Sequence, residues 1–99
     1  MNVKYLFYYI KFILGENCYY KIGITKYNNV IERIKTMKLI ENIKYEILKE
    51  IEFDNFYDAF EYEKIIKEKY REFRYKGEMF IKNGHSELFT INILENYDA

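Results

Sequence analysis

The stretch VKYLFYYIKFILGENCYYKIGIT, residues 3–25, decides the fold class. Val3 to Leu14 is β-branched and aromatic with few helix formers, which is the composition of a strand. Gly15-Glu16-Asn17 carries turn chemistry, because glycine and asparagine tolerate the backbone of a tight reversal. Tyr19 to Thr25 then returns to strand composition. Two extended runs around a short turn predict a hairpin. Both runs place apolar residues on both alternating sets of positions, so the sheet is expected to be covered on each face.

Beyond the hairpin the periodicity changes. Thr25 is placed to cap the next segment, and Val30, Ile31, Ile34 and Met37 recur at helical spacing, predicting a first helix over 28–38. Residues 43–53, IKYEILKEIEF, alternate with Tyr45, Ile47, Lys49 and Ile51 on one side, predicting a third strand. Asp54 or Asn55 caps a second helix over 55–73. Lys76-Gly77 and Asn83-Gly84 mark turns around a short MFI segment, and Leu88, Phe89, Ile91 and Leu94 predict a last helix between Ser86 and Asn96. The order is β-β-α-β-α with a C-terminal extension. This is an α+β domain over residues 1–99, with a small three-stranded, mainly antiparallel sheet (strands near 4–13, 19–25 and 44–53) flanked by helices.

Composition narrows the function. With 49% hydrophobic and 20% aromatic residues among 99, the chain can build a core, which excludes wholesale disorder. Sixteen basic and sixteen acidic side chains cancel. Phosphate neutralisation supplies most of a nucleic-acid binder's affinity, so a zero net charge argues against tight non-specific DNA binding while allowing a local basic patch. Cys18 is the one cysteine, which rules out an internal disulfide and fits a reducing, cytoplasmic compartment, the host cell's if the chain is viral. No apolar run approaches the roughly 18 residues needed to span a bilayer, so no membrane role is expected. Lys11 interrupts the first run and no small-residue cleavage site comes after it, so the run reads as a strand and not a signal peptide. Abundant Lys, Ile, Asn, Tyr and Phe without Pro or Trp is the bias of an AT-rich genome, such as that of a phage or virus.

Several residues break the pattern. In the second helix Phe56, Ala59, Phe60, Tyr62, Ile66, Tyr70 and Phe73 fall on one stripe at helical spacing, and Glu63 lies within it. A carboxylate on an apolar face requires a place at a frayed edge, an ion-pair or hydrogen-bond partner such as a core lysine or tyrosine, or a ligand. The sequence leaves those three open, whereas Glu61 is expected to face solvent. Arg33 flanks the stripe of the first helix, where it either snorkels to water or presents a bidentate fork to phosphate. A run of lysines and arginines from Lys64 to Lys76, interleaved with Glu68 and Glu72, is either a solvated face complementing the helix dipole or a phosphate contact. Arg71, Arg74 and Lys76 are the candidates for the latter. His85 stands alone in a turn and Cys18 has no histidine near it in sequence, so neither builds a metal site or a nucleophile pair.

In chain order, FYYI at 7–10, YKIGIT at 20–25, ERI at 32–34, AFEYEKII at 59–66 and GHSELF at 84–89 resemble the GIY-YIG nuclease superfamily, in its phage T5 Orf172-like branch. The resemblance covers residues 5–89 and rests on the order and spacing of the motifs. It implies a metal-dependent endonuclease acting on nucleic acid, DNA foremost. By that resemblance Tyr8 would help activate a water, Arg33 would hold the scissile phosphate, Lys21 would take a second phosphate contact, and Glu63 would bind Mg2+ or Mn2+. A phenol has an ordinary pKa of about 10, so a tyrosine acting as a base at neutral pH needs a site that lowers it. Two positions depart from the pattern: Leu6 stands where its first motif has glycine, and Lys21 where it has a second tyrosine. Lysine is common at the latter place in the Orf172-like branch, and Tyr20 is one residue away, on the opposite face of a strand. The alternative is a non-cutting module of the same fold that binds nucleic acid or protein, such as a phage or viral regulator or inhibitor. A homodimer or a protein partner would then supply the affinity that the neutral charge does not.

Overall fold

Gly15 turns the chain at φ +64°, a left-handed conformation that costs glycine little because it has no Cβ. It joins β1 (Tyr5–Leu14) to β2 (Asn17–Thr25), whose antiparallel register runs unbroken from Leu6↔Thr25 to Leu14↔Asn17. The computed structural model describes residues 4–26, 30–35, 43–76 and 88–94. β2 begins at Asn17, two residues before the expected Tyr19, so Asn17 and Cys18 belong to the strand. β3 (Lys44–Phe53) pairs antiparallel with the other edge of β1, with a register shift between Tyr9 and Ile10. These three strands lie close to the expected ranges, but the shift divides the single side expected for Tyr45, Ile47, Lys49 and Ile51: Ile47 packs in the layer of Tyr8, Ile10 and Phe12, and Ile51 in that of Phe7 and Tyr9.

A fourth strand, β4 (Leu88–Phe89), corrects the three-stranded expectation and replaces the last helix expected over 86–96. It pairs with β2 through Tyr20↔Phe89 and Lys21↔Leu88, giving the order β3-β1-β2-β4. The physical reason is the outer edge of β2, whose unpaired N–H and C=O groups need partners. The backbone on the far side of β4 is bonded too: the Tyr75 N–H donates to the Leu88 carbonyl at 2.9 Å, and the Thr90 N–H to the Phe73 carbonyl at 2.8 Å.

The first helix, α1, spans Val30–Lys35, inside the expected 28–38. Met37, the MFI segment, the Asn83-Gly84 turn and His85 lie outside the described residues. Thr25 closes β2. The second helix, α2, spans Phe56–Lys69 and opens on Asn55, whose side-chain oxygen accepts the Asp58 N–H at 2.9 Å. It stops earlier than periodicity predicts: the Tyr70 N–H still donates to the Ile66 carbonyl, and Arg71–Phe73 then tighten into a 3-10 turn.

Both faces of the sheet are covered, as the two apolar sets of the hairpin require. On one, Tyr8, Ile10 and Phe12 pack with Val30 and Ile34 of α1 and with Leu88. On the other, Phe7, Tyr9 and Ile22 pack with Ile66 of α2 and with Phe89, Ile93 and Leu94. The Tyr9 hydroxyl, inside this second layer, donates to Asn92 Oδ1 at 2.7 Å. The expected single stripe of α2 divides in two. At about 100° per residue, Ala59, Tyr62, Ile66 and Tyr70 fall within roughly 80° of one another and face the sheet. Phe56 and Phe60 lie to one side of that arc and are 51% and 42% exposed. Glu63 falls between the two arcs, and Glu61 is half-buried instead of facing solvent. Among the described residues no helix is long and apolar enough to cross a membrane.

Candidate functional site

Tyr8 and Gly23 are cross-strand partners in the hairpin. Tyr8 is 1% exposed, and its phenol lies across the Cα of Gly23: a Cβ at that position would fall 2.2 Å from the hydroxyl oxygen and 2.3 Å from Cζ. Only glycine leaves room for a ring laid over β2. Periodicity does not single out Gly23 within YKIGIT, although a glycine inside a strand is itself a sign of close approach by another group.

Lys21 is two residues before Gly23 on the same face of β2 and is 1% exposed. Its ammonium donates to the Ile22 carbonyl at 3.3 Å and stands 5.7 Å from the centroid of the Tyr8 ring. A buried ammonium is costly without such compensation, so a carbonyl dipole and an aromatic face beside it are the neighbours it requires. Arg33 comes from α1, which β3 helps to place: Glu50, the β3 residue opposite Tyr8, accepts the Val30 N–H on its Oε1 at 3.3 Å.

Glu63 comes from α2. It is 8% exposed, and its Oε1 lies 3.8 Å from the Lys67 ammonium one turn on. Of the explanations left open by the sequence, an ion-pair partner is therefore present, though Lys67 itself is only half-buried.

These four side chains share one cleft. Tyr8, Lys21, Arg33 and Glu63 line it together with Gly23 and Ile24 of β2 and with Phe56, Phe60 and Lys67 of α2. Its lining comes from both faces of the sheet, and the described pairing of β2 with β4 ends at Lys21. The cleft thus lies across the β2 edge, from the last residue of the described pairing with β4 onward. At about 340 Å³ it holds a phosphate group with several waters, each taking roughly 30 Å³. Three cations, a phenol and one carboxylate around such a space suit a phosphate ester better than an uncharged ligand.

The other cationic candidates are next to this cleft, not in it. Arg71 and Arg74 line an adjoining groove with Lys64, Lys67 and Glu68, and they line a further one with Tyr75 and Lys76. Lys67 is common to the cleft and the first groove. Among the described residues no three His, Cys, Asp or Glu side chains are placed to hold a metal ion together, and Glu63 is the one carboxylate among the described cleft-lining residues.

Residues 6–99 match the T5orf172 domain, and the chain belongs to that family. No curated protein and no solved structure matches the chain.

Proposed function

We propose that the cleft hydrolyses nucleic-acid phosphodiesters with the help of a divalent cation, in the manner of the GIY-YIG nucleases that the motif order resembles. The observation that supports this most is the shared cleft, since Tyr8, Lys21, Arg33 and Glu63 come from four separate elements. In this reading Arg33 and Lys21 grip the non-bridging oxygens of the scissile phosphate. A water attacks phosphorus, its proton passes to the Tyr8 oxygen, and the bond from phosphorus to the leaving oxygen breaks. Lys21 supplies the positive charge that a phenol working as a base requires near it.

The donor set fits one hard cation. Mg2+ (or Mn2+) takes one or two carboxylates and completes its shell with water and phosphate oxygens, so Glu63 alone suffices on the protein side. When bound, the cation would offset negative charge developing on the leaving oxygen. Lys67 is exposed enough to swing aside from Glu63 and contact phosphate.

The second reading is a nucleic-acid-binding module without cutting, and the Lys67–Glu63 pair favours it, because a cation already faces that carboxylate. Incubating plasmid and single-stranded DNA and RNA with the protein, with Mg2+, Mn2+ or chelator, separates the two. Cleavage that needs the metal and vanishes in Glu63→Ala establishes the nuclease. Retarded migration without cleavage under every metal leaves the binding module.

A further inference from the structure

Phosphodiester hydrolysis does not need the aromatic rim of the cleft. Phe56 and Phe60 line the cleft on the N-terminal side of Glu63 and are half exposed. Their rings stack at 5.8 Å with 28° between planes, and Tyr5 braces Phe56 edge-on at 5.6 Å. Two stacked phenylalanines with apolar surface in water forgo the burial that normally accounts for such residues. On the C-terminal side of Glu63 the same strip of α2 brings Lys67 into the cleft, and past the end of the helix Arg71 and Arg74 line the adjoining groove that Lys67 shares. Aromatic pair, carboxylate and cations succeed one another in chain order from the cleft into that groove.

We propose that Phe60, backed by Phe56, is a stacking platform for one unpaired nucleobase. The substrate or ligand of the cleft is therefore nucleic acid with single-stranded character at that point, its backbone running over Lys67 towards Arg71 and Arg74. This rests on the reading that the cleft takes a nucleic-acid phosphate. In an intact duplex both faces of every internal base are already stacked, so a ring beside the phosphate site has nothing to stack on. A splayed or single-stranded base offers a free face, and every base has one, so the contact tolerates any sequence. Stacking also supplies affinity from outside the phosphate term, which a chain of zero net charge needs. The cations beside the aromatic pair match the charge of a nucleic-acid strand, which sets this occupant apart from a second copy or a protein of neutral surface.

Fluorescence anisotropy in chelator tests this on the whole chain, using one labelled oligonucleotide as a single strand and as the blunt duplex of the same sequence. The single strand should bind more tightly. Phe60→Leu keeps apolar volume but loses the ring, and it should weaken single-strand binding by about tenfold while leaving duplex binding unchanged, whereas Phe60→Tyr should retain it. A strand carrying 2-aminopurine should be quenched on binding the wild type and not the leucine variant. Equal affinity for both forms, or single-strand affinity and quenching untouched in Phe60→Leu, overturns the platform and leaves the nucleic-acid reading standing. Failure to bind either form overturns both. Sedimentation showing a dimer that Phe60→Leu dissociates assigns the surface to a second copy instead.

Discussion

The Tyr8 ring occupies the space where any side chain at position 23 would begin, with 2.2 Å between the hydroxyl oxygen and the position of a Cβ. Gly23→Ala should therefore push the phenol out of the cleft or prise β1 from β2. Overpacking of this kind costs about 1–3 kcal/mol. The expected result is a lower melting temperature together with loss of any cleavage. Tyr8→Ala creates a cavity of its own, yet combined with Gly23→Ala it should cost less than the two separately. A strictly additive double-mutant cycle would show that the two residues do not share space.

Glu63→Ala should abolish metal-dependent cleavage and leave stability unchanged or slightly raised. The carboxylate lies at the seam between core and cleft, so its loss relieves desolvation, and the half-buried Lys67 can turn to water. A helical pair at this spacing contributes only about 0.3–0.5 kcal/mol. A drop in melting temperature equivalent to about 1–3 kcal/mol, with cleavage intact, would instead make Glu63 a structural ion-pair member.

Glu50 acts on the site from a distance. Its carboxylate receives the first described N–H of α1, and α1 carries Arg33. Glu50→Ala should cost about 1 kcal/mol, as the loss of a helix cap does. Since Arg33 then sits on a loosened helix, binding of a short oligonucleotide should weaken as well. Glu50→Gln, which keeps an acceptor oxygen, should restore most of both. Calorimetry and anisotropy on the three proteins decide it, and indifference of α1 to either change would refute the cap.

Arg71 and Arg74 border the groove that adjoins the cleft and the further one beyond it. If they contact phosphates, the double variant Arg71→Ala, Arg74→Ala should flatten the plot of log affinity against log salt. The slope should fall by about 1.4 to 1.8, at roughly 0.7 to 0.9 per lost contact depending on strandedness. Thermal stability should hardly move, because both side chains are exposed. An unchanged slope would return them to the solvated face of the helix end.

Lys4 and Asp54 pin the start of β1 to the end of β3. The hydrogen bond from Lys4 and then its charge hold the Asp54 carboxyl below its ordinary value of 3.8, and the reciprocal contacts raise Lys4 above 10.5. Asp54's share of stability is thus present above its ordinary value and disappears as pH falls through the depressed one. The share of Lys4 is present below 10.5 and disappears as pH rises through its raised value. Both groups are exposed to solvent, so the effect is small and screened by salt. An NMR titration of the Asp54 carboxyl carbon should show the downward displacement, and Lys4→Ala should remove it.

The legibility of each element in the sequence depends on the physical range of its signal. Strand alternation and the Asn55 cap are local, and they place the ranges of β1, β2 and β3 and the start of α2 directly, but not the shift in β3 that sends Ile47 and Ile51 to opposite faces. The tail misled, because Leu88, Phe89, Ile91 and Leu94 have helical spacing, while the residues that hold Leu88 and Phe89 are Tyr20 and Lys21, far away in the chain. No local period contains that pairing. Glu63 stood out as an acid among apolar neighbours. Its companions Phe56 and Phe60 did not, because a phenylalanine on a stripe looks the same whether the stripe meets a sheet or a cleft. Which way the arc turns depends on where the described pairing of β2 with β4 ends.

The face of α2 that carries Phe60, Glu63 and Lys67 is one rigid piece, and this makes the helix a gauge with a phase. A single residue inserted between Phe60 and Glu63 would advance everything after it by about 1.5 Å and rotate it by about 100°. The carboxylate would leave the cleft while the aromatic pair stayed. Insertions after Phe73, past the last helical turn, would leave that phase untouched. Length within α2 is thus tied to chemistry, and the chain can vary in length where the phase has already been used.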